Sequence, residues 1–271
     1  MPTSIFQNQN VLITGGSTGI GFAIAQQLGA KGAKLHLLAR TRSKLERAKA
    51  QLAEEGITNV AIYDCDVTDE AGIRAIVQQI GESEVGLHTL INNAGTDIFG
   101  RFTDSEIGRK KEVMDINYWG AAFPTHVAIP YLKKSKNARL AFVGSVAGYL
   151  GAIGYSSYAP TKFAMTGLAE CLRMELAPFD VTTTIVFPPD TDTPLYEYEK
   201  LHTLPETAAL SKNAKVLQPE FVAQKLIRGM EKGQFEVLCN LESRVLKVLK
   251  NLWPKLHYRI LDEIVARATK N

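Results

Sequence analysis

The twelve residues NVLITGGSTGIG, Asn10 to Gly21, decide how the rest of the chain folds. NVLIT is a short, almost wholly apolar run, the pattern of a strand covered on both faces. Gly15, Gly19 and Gly21 then follow at the spacing G-x3-G-x-G, and an apolar-periodic stretch continues to about Lys31, which reads as a helix. A strand, a glycine-rich turn and a helix in that order bring backbone close to a pyrophosphate. They also set it on the first N–H groups of the helix, where the helix dipole favours negative charge. With the three glycines, Ser17, Thr18 and Ile20 complete the expected dinucleotide cradle. A P-loop is excluded, because no G-K-[ST] follows.

Outward from this unit the alternation repeats. AKLHLLA, NVAIYDCD, LHTLINNAG, ARLAFVGS and VTTTIVFPP read as further strands, and QFEVLC as a candidate seventh. Helical patterns lie between them: SKLERAKAQLAEE with Ser43 as N-cap, about Asp69 to Ile80, and about Tyr158 to Ala177. The least charged stretch, Ile116 to Leu132, carries Asn117, Pro124, Thr125, His126 and Pro130, so it reads as a buried helix rather than a membrane span. Strand–helix alternation demands a parallel sheet with helices on both faces. The expectation is a Rossmann-like, doubly wound α/β domain of about seven strands over residues 1–240. Residues 195–218 break the alternation and read as a lid. Residues 241–271 read as an amphipathic helical tail.

Composition narrows the function classes. Apolar residues make up 45% and charged residues 22%, which excludes a disordered or low-complexity chain. A net charge of +3 is too small for nucleic-acid binding as the main activity. Cys65, Cys171 and Cys239 lie far apart in no zinc spacing, so a reducing, cytoplasmic setting is expected. The N-terminus shows neither a basic nor an apolar leader region, so no signal peptide is expected. The five histidines form no ligand spacing, so no metal is expected.

The end of the second strand selects the nucleotide. An NAD site places a carboxylate there for the ribose 2′-hydroxyl. This chain places Ala39, Arg40, Arg42 and Lys44 there, cations that suit the 2′-phosphate of NADP(H). The other reading is that these cations only solvate the loop, Lys44 above all.

Four features in order, TGGSTGIG, NNAG at Asn92–Gly95, Asn117, and Ser145-x12-Tyr158-x3-Lys162, resemble the short-chain dehydrogenase/reductase family over nearly the whole chain. The resemblance implies the strand order 3-2-1-4-5-6-7. It implies a catalytic tetrad of Asn117, Ser145, Tyr158 and Lys162, with Lys162 also on the nicotinamide ribose and Asn117 positioning a relay water. Asp66 and Val67 would meet the adenine, Asn93 and Gly95 would lie along the cofactor, and Thr193 would close over it. Asn92 and Asn93 have a second reading as ties within the sheet. A dimer or tetramer through the helices holding Asn117 and Tyr158 is also implied.

The residues support the tetrad independently. Tyr158 and Lys162 are one helical turn apart and share a face. A ketone that accepts hydride becomes an alkoxide and needs a proton, which a phenol can supply. An ammonium about 5 Å from the phenol, at an effective dielectric near 20, favours tyrosinate by roughly 3 kcal/mol, about 2 pK units. Ser145 would donate a hydrogen bond to the substrate oxygen as charge develops.

The stretch after the sixth strand reads PPDTDTP, Pro188 to Pro194, where the family usually reads P-G-x-x-x-T, so Pro189 stands in the glycine's place. With YSSYAPTKFAMTGLAECLRMEL and QPEFVAQKLIRGMEKGQF, it resembles the branch of the family that reduces the keto group of long-chain sphingoid bases with NADPH. That branch implies a substrate with an ammonium beside its ketone, for which Asp190 or Asp192 is the expected counter-ion, or else part of a capped, solvated loop. Tyr149, Leu150, Ile153, Tyr155, Tyr196, Tyr198 and Leu201 line an apolar groove on one reading and fill core on the other. The alternatives are a reductase of another apolar ketone, 3-oxoacyl or steroid-like, and a non-catalytic NADP-sensing protein. The tail carries Val245, Leu249, Leu252, Leu256, Ile260 and Ile264 among basic residues, with Pro254 as a break. It suits peripheral contact with the cytoplasmic face of a membrane, or packing on the domain or a second subunit.

Overall fold

The computed structural model describes residues 4–212 and 214–269. Seven parallel strands form one sheet in the order β3-β2-β1-β4-β5-β6-β7, as the family resemblance implies. They are β1 (Asn10–Thr14), β2 (Lys34–Ala39), β3 (Val60–Asp64), β4 (Thr89–Asn92), β5 (Arg139–Val143), β6 (Thr182–Phe187) and β7 (Glu236–Leu238). Strands β1, β4 and β5 are buried at every position.

Helices α1 (Gly19–Ala30), α2 (Arg42–Glu54) and α9 (Pro219–Glu231) cover one face, while α3 (Glu70–Gly81), α5 (Gly120–Leu132) and α6 (Ala159–Leu176) cover the other. The period-two alternation of β1 divides the two cores. Val11 and Ile13 pack with Ile24, Leu28 and Leu226, whereas Leu12 packs with Ile73, Val77 and Leu132.

Three elements refine the expected order. Asn117 lies in a π-helical turn, Asp115–Trp119, between a short α4 (Ile107–Met114) and α5. The segment after β6 forms α7 (Pro194–His202) and α8 (Pro205–Ser211). The tail is two helices, α10 (Leu241–Leu252) and α11 (Pro254–Ala268), broken at Trp253 with Pro254 starting the second. Ser43 is not a cap: α2 begins at Arg42, with Thr41 at the N-cap position and no side chain capping the helix. Asp69 does cap α3, accepting from the Gly72 N–H at 3.1 Å.

Among the described residues, no helix is long and apolar enough to cross a membrane.

Candidate active site

The site forms at the carboxyl ends of β1, β4, β5 and β6, where the strand order reverses, the position at which open α/β sheets bind ligands. Gly15 (φ +65°) and Gly19 (φ +56°) adopt left-handed backbone conformations that favour glycine. At Gly21 a Cβ would stand 2.3 Å from the Gly15 carbonyl oxygen, so only glycine lets α1 approach the loop this closely. No side chain caps the start of α1, and no acid sits in its first turn. Its leading N–H groups are therefore available to an anion. Ser17, Thr18, Gly19 and Ile20 remain accessible at this mouth. A dinucleotide's diphosphate fits this arrangement.

The loop is locked from behind by Thr14, which the sequence reading passed over, and by Asn93, for which the reading as a tie is the one seen. The Thr14 hydroxyl accepts from the Asn93 and Ala94 N–H groups at 3.0 and 3.1 Å. The Asn93 amide donates to the Thr14 and Gly15 carbonyls, both at 3.0 Å. The Asn93 side chain is thus a tie between β4 and the loop. Asn92 is a sheet tie as well, donating to the Thr125 hydroxyl at 2.8 Å.

At the end of β2, Arg40 is exposed and stands 3.7 Å from the Asp66 carboxylate, while Arg42 is engaged by Glu46 and Asp64 at 2.9 and 3.2 Å. Lys44 is exposed on α2. Asp66 also holds its own turn, accepting from the N–H and hydroxyl of Thr68. The Val67 side chain is buried where a Cβ on Gly120 would meet it at 2.6 Å, so only its backbone is left for an adenine.

Thr193 lies over the glycine loop: its Cγ2 is 3.2 Å from where a Gly19 Cβ would stand. It also caps α7 by accepting from the Tyr196 N–H at 3.3 Å. The turn is held with Pro189 in place. The Thr191 hydroxyl donates to the Pro189 carbonyl at 2.7 Å, and Thr191 pairs with Leu217.

The four tetrad residues come together. Tyr158 occupies the N-cap position of α6, and Lys162 follows one turn later with its ammonium 5.4 Å from the Tyr158 ring centre. Lys162 is buried and donates to the Val143 carbonyl at 3.0 Å. Asn117 is fully buried. Its amide donates to the Thr96 carbonyl and the Thr161 hydroxyl, both at 2.9 Å, and its oxygen accepts from the Thr96 N–H at 2.8 Å. The π-helical turn aims Asn117 at this position, and Thr161 holds it there. Gly95 lies between them: a Cβ there would stand 3.3 Å from the Asn117 oxygen and 3.7 Å from the Lys162 nitrogen.

One expectation is corrected. The phenol of Tyr158 is not made more acidic by this protein. Burial pushes its pKa up, Asp97 adds to that, Ser145 opposes it, and Glu199 adds further. Lys162, itself depressed to about 8 by burial, is pinned to Val143 and does not offset this. The spacing gives proximity, but desolvation decides the sign.

The supposed groove residues divide. Tyr149 is core: it packs edge-on against Phe187 at 5.4 Å, and its hydroxyl donates to the Ser243 carbonyl at 2.9 Å, docking α10. Leu201 points to solvent, 81% exposed. Tyr155 and Tyr198 do face the cleft, against Phe99 at 5.7 and 6.0 Å. Asp192 is exposed and faces Gln218 at 3.5 Å, whereas Asp190 is half-buried, its pKa raised chiefly by burial.

A sheet of this order, a phosphate-ready glycine turn and a Ser–Tyr–Lys–Asn group with its lysine and asparagine buried define a nucleotide-dependent oxidoreductase. The family model for short chain dehydrogenases matches residues 9–203, and the chain belongs to that family. Its relatives include the 3-dehydrosphinganine reductase of Danio rerio, 37% identical over 83% of this chain and 69% of that protein. The 3-ketodihydrosphingosine reductase of Bos taurus is 36% identical over the same shares. Among solved structures, a short-chain dehydrogenase/reductase from Burkholderia phymatum in complex with NAD superposes with a TM-score of 0.82 at 23% identity, covering 93% of this chain and 95% of that one, which bears on the fold.

Proposed function

We propose that the protein reduces the keto group of 3-ketodihydrosphingosine to dihydrosphingosine with NADPH. The observation that carries this reading is the joining of a complete Ser145–Tyr158–Lys162–Asn117 group to a cleft of carboxylates and aromatic rings, in a chain whose relatives bear that name. Gly15 and Ser17 to Gly21 hold the diphosphate, Arg40 and Lys44 the 2′-phosphate, Gly95 and Thr193 the nicotinamide end, and Asp66 the edge of the adenine pocket. Bound NADPH supplies hydride to the ketone carbon.

The protein supplies the rest. Ser145 donates a hydrogen bond to the ketone oxygen as negative charge grows on it. Tyr158 transfers its phenolic proton to that oxygen. Lys162 orients the cofactor ribose, Ser145 remains hydrogen-bonded to the phenol side of the reaction, and Asn117 holds the relay water that returns a proton. The same tetrad speaks against a non-catalytic sensor, which has no use for a positioned proton donor.

The direct test is NADPH oxidation with 3-ketodihydrosphingosine in detergent micelles, alongside a 3-oxoacyl thioester and a steroid ketone. Turnover of the latter two alone would reject the substrate.

The setting proposed for this reaction is the cytoplasmic surface of a membrane. On α10, Leu241, Val245, Val248 and Leu252 form a stripe at least 50% exposed, and Trp253 continues it at 58%. Exposed apolar residues beside Arg244 and Lys255 suit an anionic lipid interface. Flotation with anionic liposomes checks this: Val248→Glu with Leu252→Glu is expected to abolish binding. A dimer or tetramer, with exposed Trp119, Met174 and Phe179 at its contacts, is the proposed assembly, read out by light scattering.

A further inference from the structure

Three carboxylates surround Tyr155, whose ring neighbours that of Tyr158. Asp97 lies in the loop after β4, Asp190 in the turn after β6, and Glu199 on α7. The loop after β4 is joined to the segment between β5 and α6 by a bridge between Gly100 and Tyr155, with the Gly100 N–H donating to the Gly154 carbonyl at 3.1 Å. The Tyr155 hydroxyl donates to the Glu199 carboxylate, and the rings of Tyr155 and Tyr158 are 6.4 Å apart. Glu199 is therefore pinned one side chain away from the proton donor.

Asp97 is only 4% exposed. Its Oδ1 accepts from the Ile98 N–H at 2.6 Å, and its Oδ2 is buried with no hydrogen-bond partner among the described residues. The adjacent Thr96 is bonded to Asn117 through both its N–H and its carbonyl, and Tyr155, Tyr158 and Lys162 all feel this carboxyl, so Asp97 belongs to the cleft. A buried carboxylate normally has its lone pairs satisfied and its charge paired. Among the described residues Lys162 is the one cation that acts on it, and that ammonium is committed to Val143. Three acids face one base, and the imbalance sits at the place where a ketone must dock.

We infer that Asp97, Asp190 and Glu199 form an ammonium subsite adjoining the reducing position, which selects a ketone bearing a primary amine on the neighbouring carbon. The inference deepens the proposed function and rests on it. The unpartnered Oδ2 of Asp97 accepts one N–H of the ammonium, and the free oxygen of Glu199 accepts another. The rings of Phe99, Tyr155 and Tyr198 add faces suited to a cation. In the cation's absence, burial holds Asp97 and Glu199 near pKa 7 and raises Asp190, as expected of groups waiting for a counter-ion.

The test compares two substrates of the holoenzyme, 3-ketodihydrosphingosine and its deamino counterpart 1-hydroxyoctadecan-3-one. Loss of one hydrogen bond to a charged group corresponds to roughly 10–100-fold. Wild type is expected to prefer the amino ketone by at least that ratio in kcat/KM. Asp97→Asn and Glu199→Gln are each expected to reduce the ratio by roughly tenfold or more, through KM. Taking a ratio within one protein cancels any loss of folded enzyme.

A wild-type ratio near one, with both ketones reduced, overturns the subsite and leaves the reductase reading standing. Variants that keep the full preference also overturn it. If wild type reduces neither ketone, the reductase reading fails, and the subsite is judged by calorimetric binding of sphinganine and N-acetylsphinganine to the NADP-loaded protein. Tighter binding of the free amine supports the subsite, and equal affinity overturns it.

Discussion

Replacing Asp97 by Asn tests the electrostatics of the cleft without any substrate. Folding raises this carboxyl from an ordinary 3.8 to about 7, with burial the largest cause, so the native state holds the proton more tightly than the unfolded chain does. Below about pH 4 the group is neutral in both states and costs nothing. As pH rises toward 7 the unfolded chain releases its proton while the native state still binds one, so stability is lost through that window. The displacement is about three pH units, at about 1.4 kcal/mol each, so the ionised carboxyl costs the fold roughly 4 kcal/mol above pH 7.

Asparagine keeps the shape and the acceptor for the Ile98 N–H but carries no charge. Its amide N–H groups lack a partner, a pH-independent cost of about 1–3 kcal/mol. The useful quantity is therefore the change in ΔΔG between pH 4 and pH 8, from which the constant cost cancels. Urea unfolding across that range should show Asp97→Asn improving relative to wild type by roughly 4 kcal/mol as pH rises, then levelling off above pH 7. A difference that stays flat within error would mean that Asp97 is hydrated and titrates normally, and the closed, charge-starved cleft described here would be wrong.

The remaining predictions concern single groups. Tyr158→Phe should lower kcat by roughly 10²–10⁴-fold, the range for losing a positioned proton donor, while fluorescence titration shows NADPH bound as before. Arg40→Ala should weaken NADPH by roughly 10–100-fold and leave NADH nearly untouched, so the ratio of the two KM values is the measurement. Thr14→Val strands the Asn93 and Ala94 N–H groups, each costing about 1–3 kcal/mol, and calorimetry should record a clear fall in Tm. The KM for the amino ketone should rise below pH 7 as Asp97 and Glu199 take up protons, with Asp190, Tyr155, Tyr158 and Lys162 facing them. The deamino ketone should show no such rise.

Much of this molecule is legible along the chain because its signals are local. Strand β1, the glycine turn and α1 are consecutive, so their apolar runs and glycine spacing state their own geometry. Tyr158 and Lys162 are likewise one turn apart, and their shared face follows from helix pitch. What could not be read depends on contacts between distant segments. The burial of Asp97 requires Gly100, at φ +130°, to fold its loop back onto Tyr155, 55 positions along the chain. Glu199 reaches the cleft only because α7 returns across 44 residues to meet the same tyrosine. Asp190 and Asp192 looked equivalent in PPDTDTP, and only the Thr191–Leu217 bridge separates an inward carboxylate from an outward one. Tyr149 reads as groove lining until α10 is seen to occupy its hydroxyl.

The upward shift of Tyr158 bears on the direction of the reaction. Reduction of a ketone must begin with the phenol protonated, whereas the reverse dehydrogenation of the alcohol must begin with the phenolate. Burial, Asp97 and Glu199 all favour the neutral phenol, and Ser145 alone opposes them. The protein by itself thus holds the donor in the state reduction requires. An ammonium seated between Asp97 and Glu199 would change that balance, because it cancels the two charges that most disfavour phenolate while leaving the burial unchanged. The proton would then become easier to release when the amino ketone is in place. On this argument the acids do more than select the substrate, since occupation of their subsite lowers the cost of the proton transfer that follows. A ketone without the amine would meet a phenol still held against ionisation, and should be slower in kcat as well as weaker in KM.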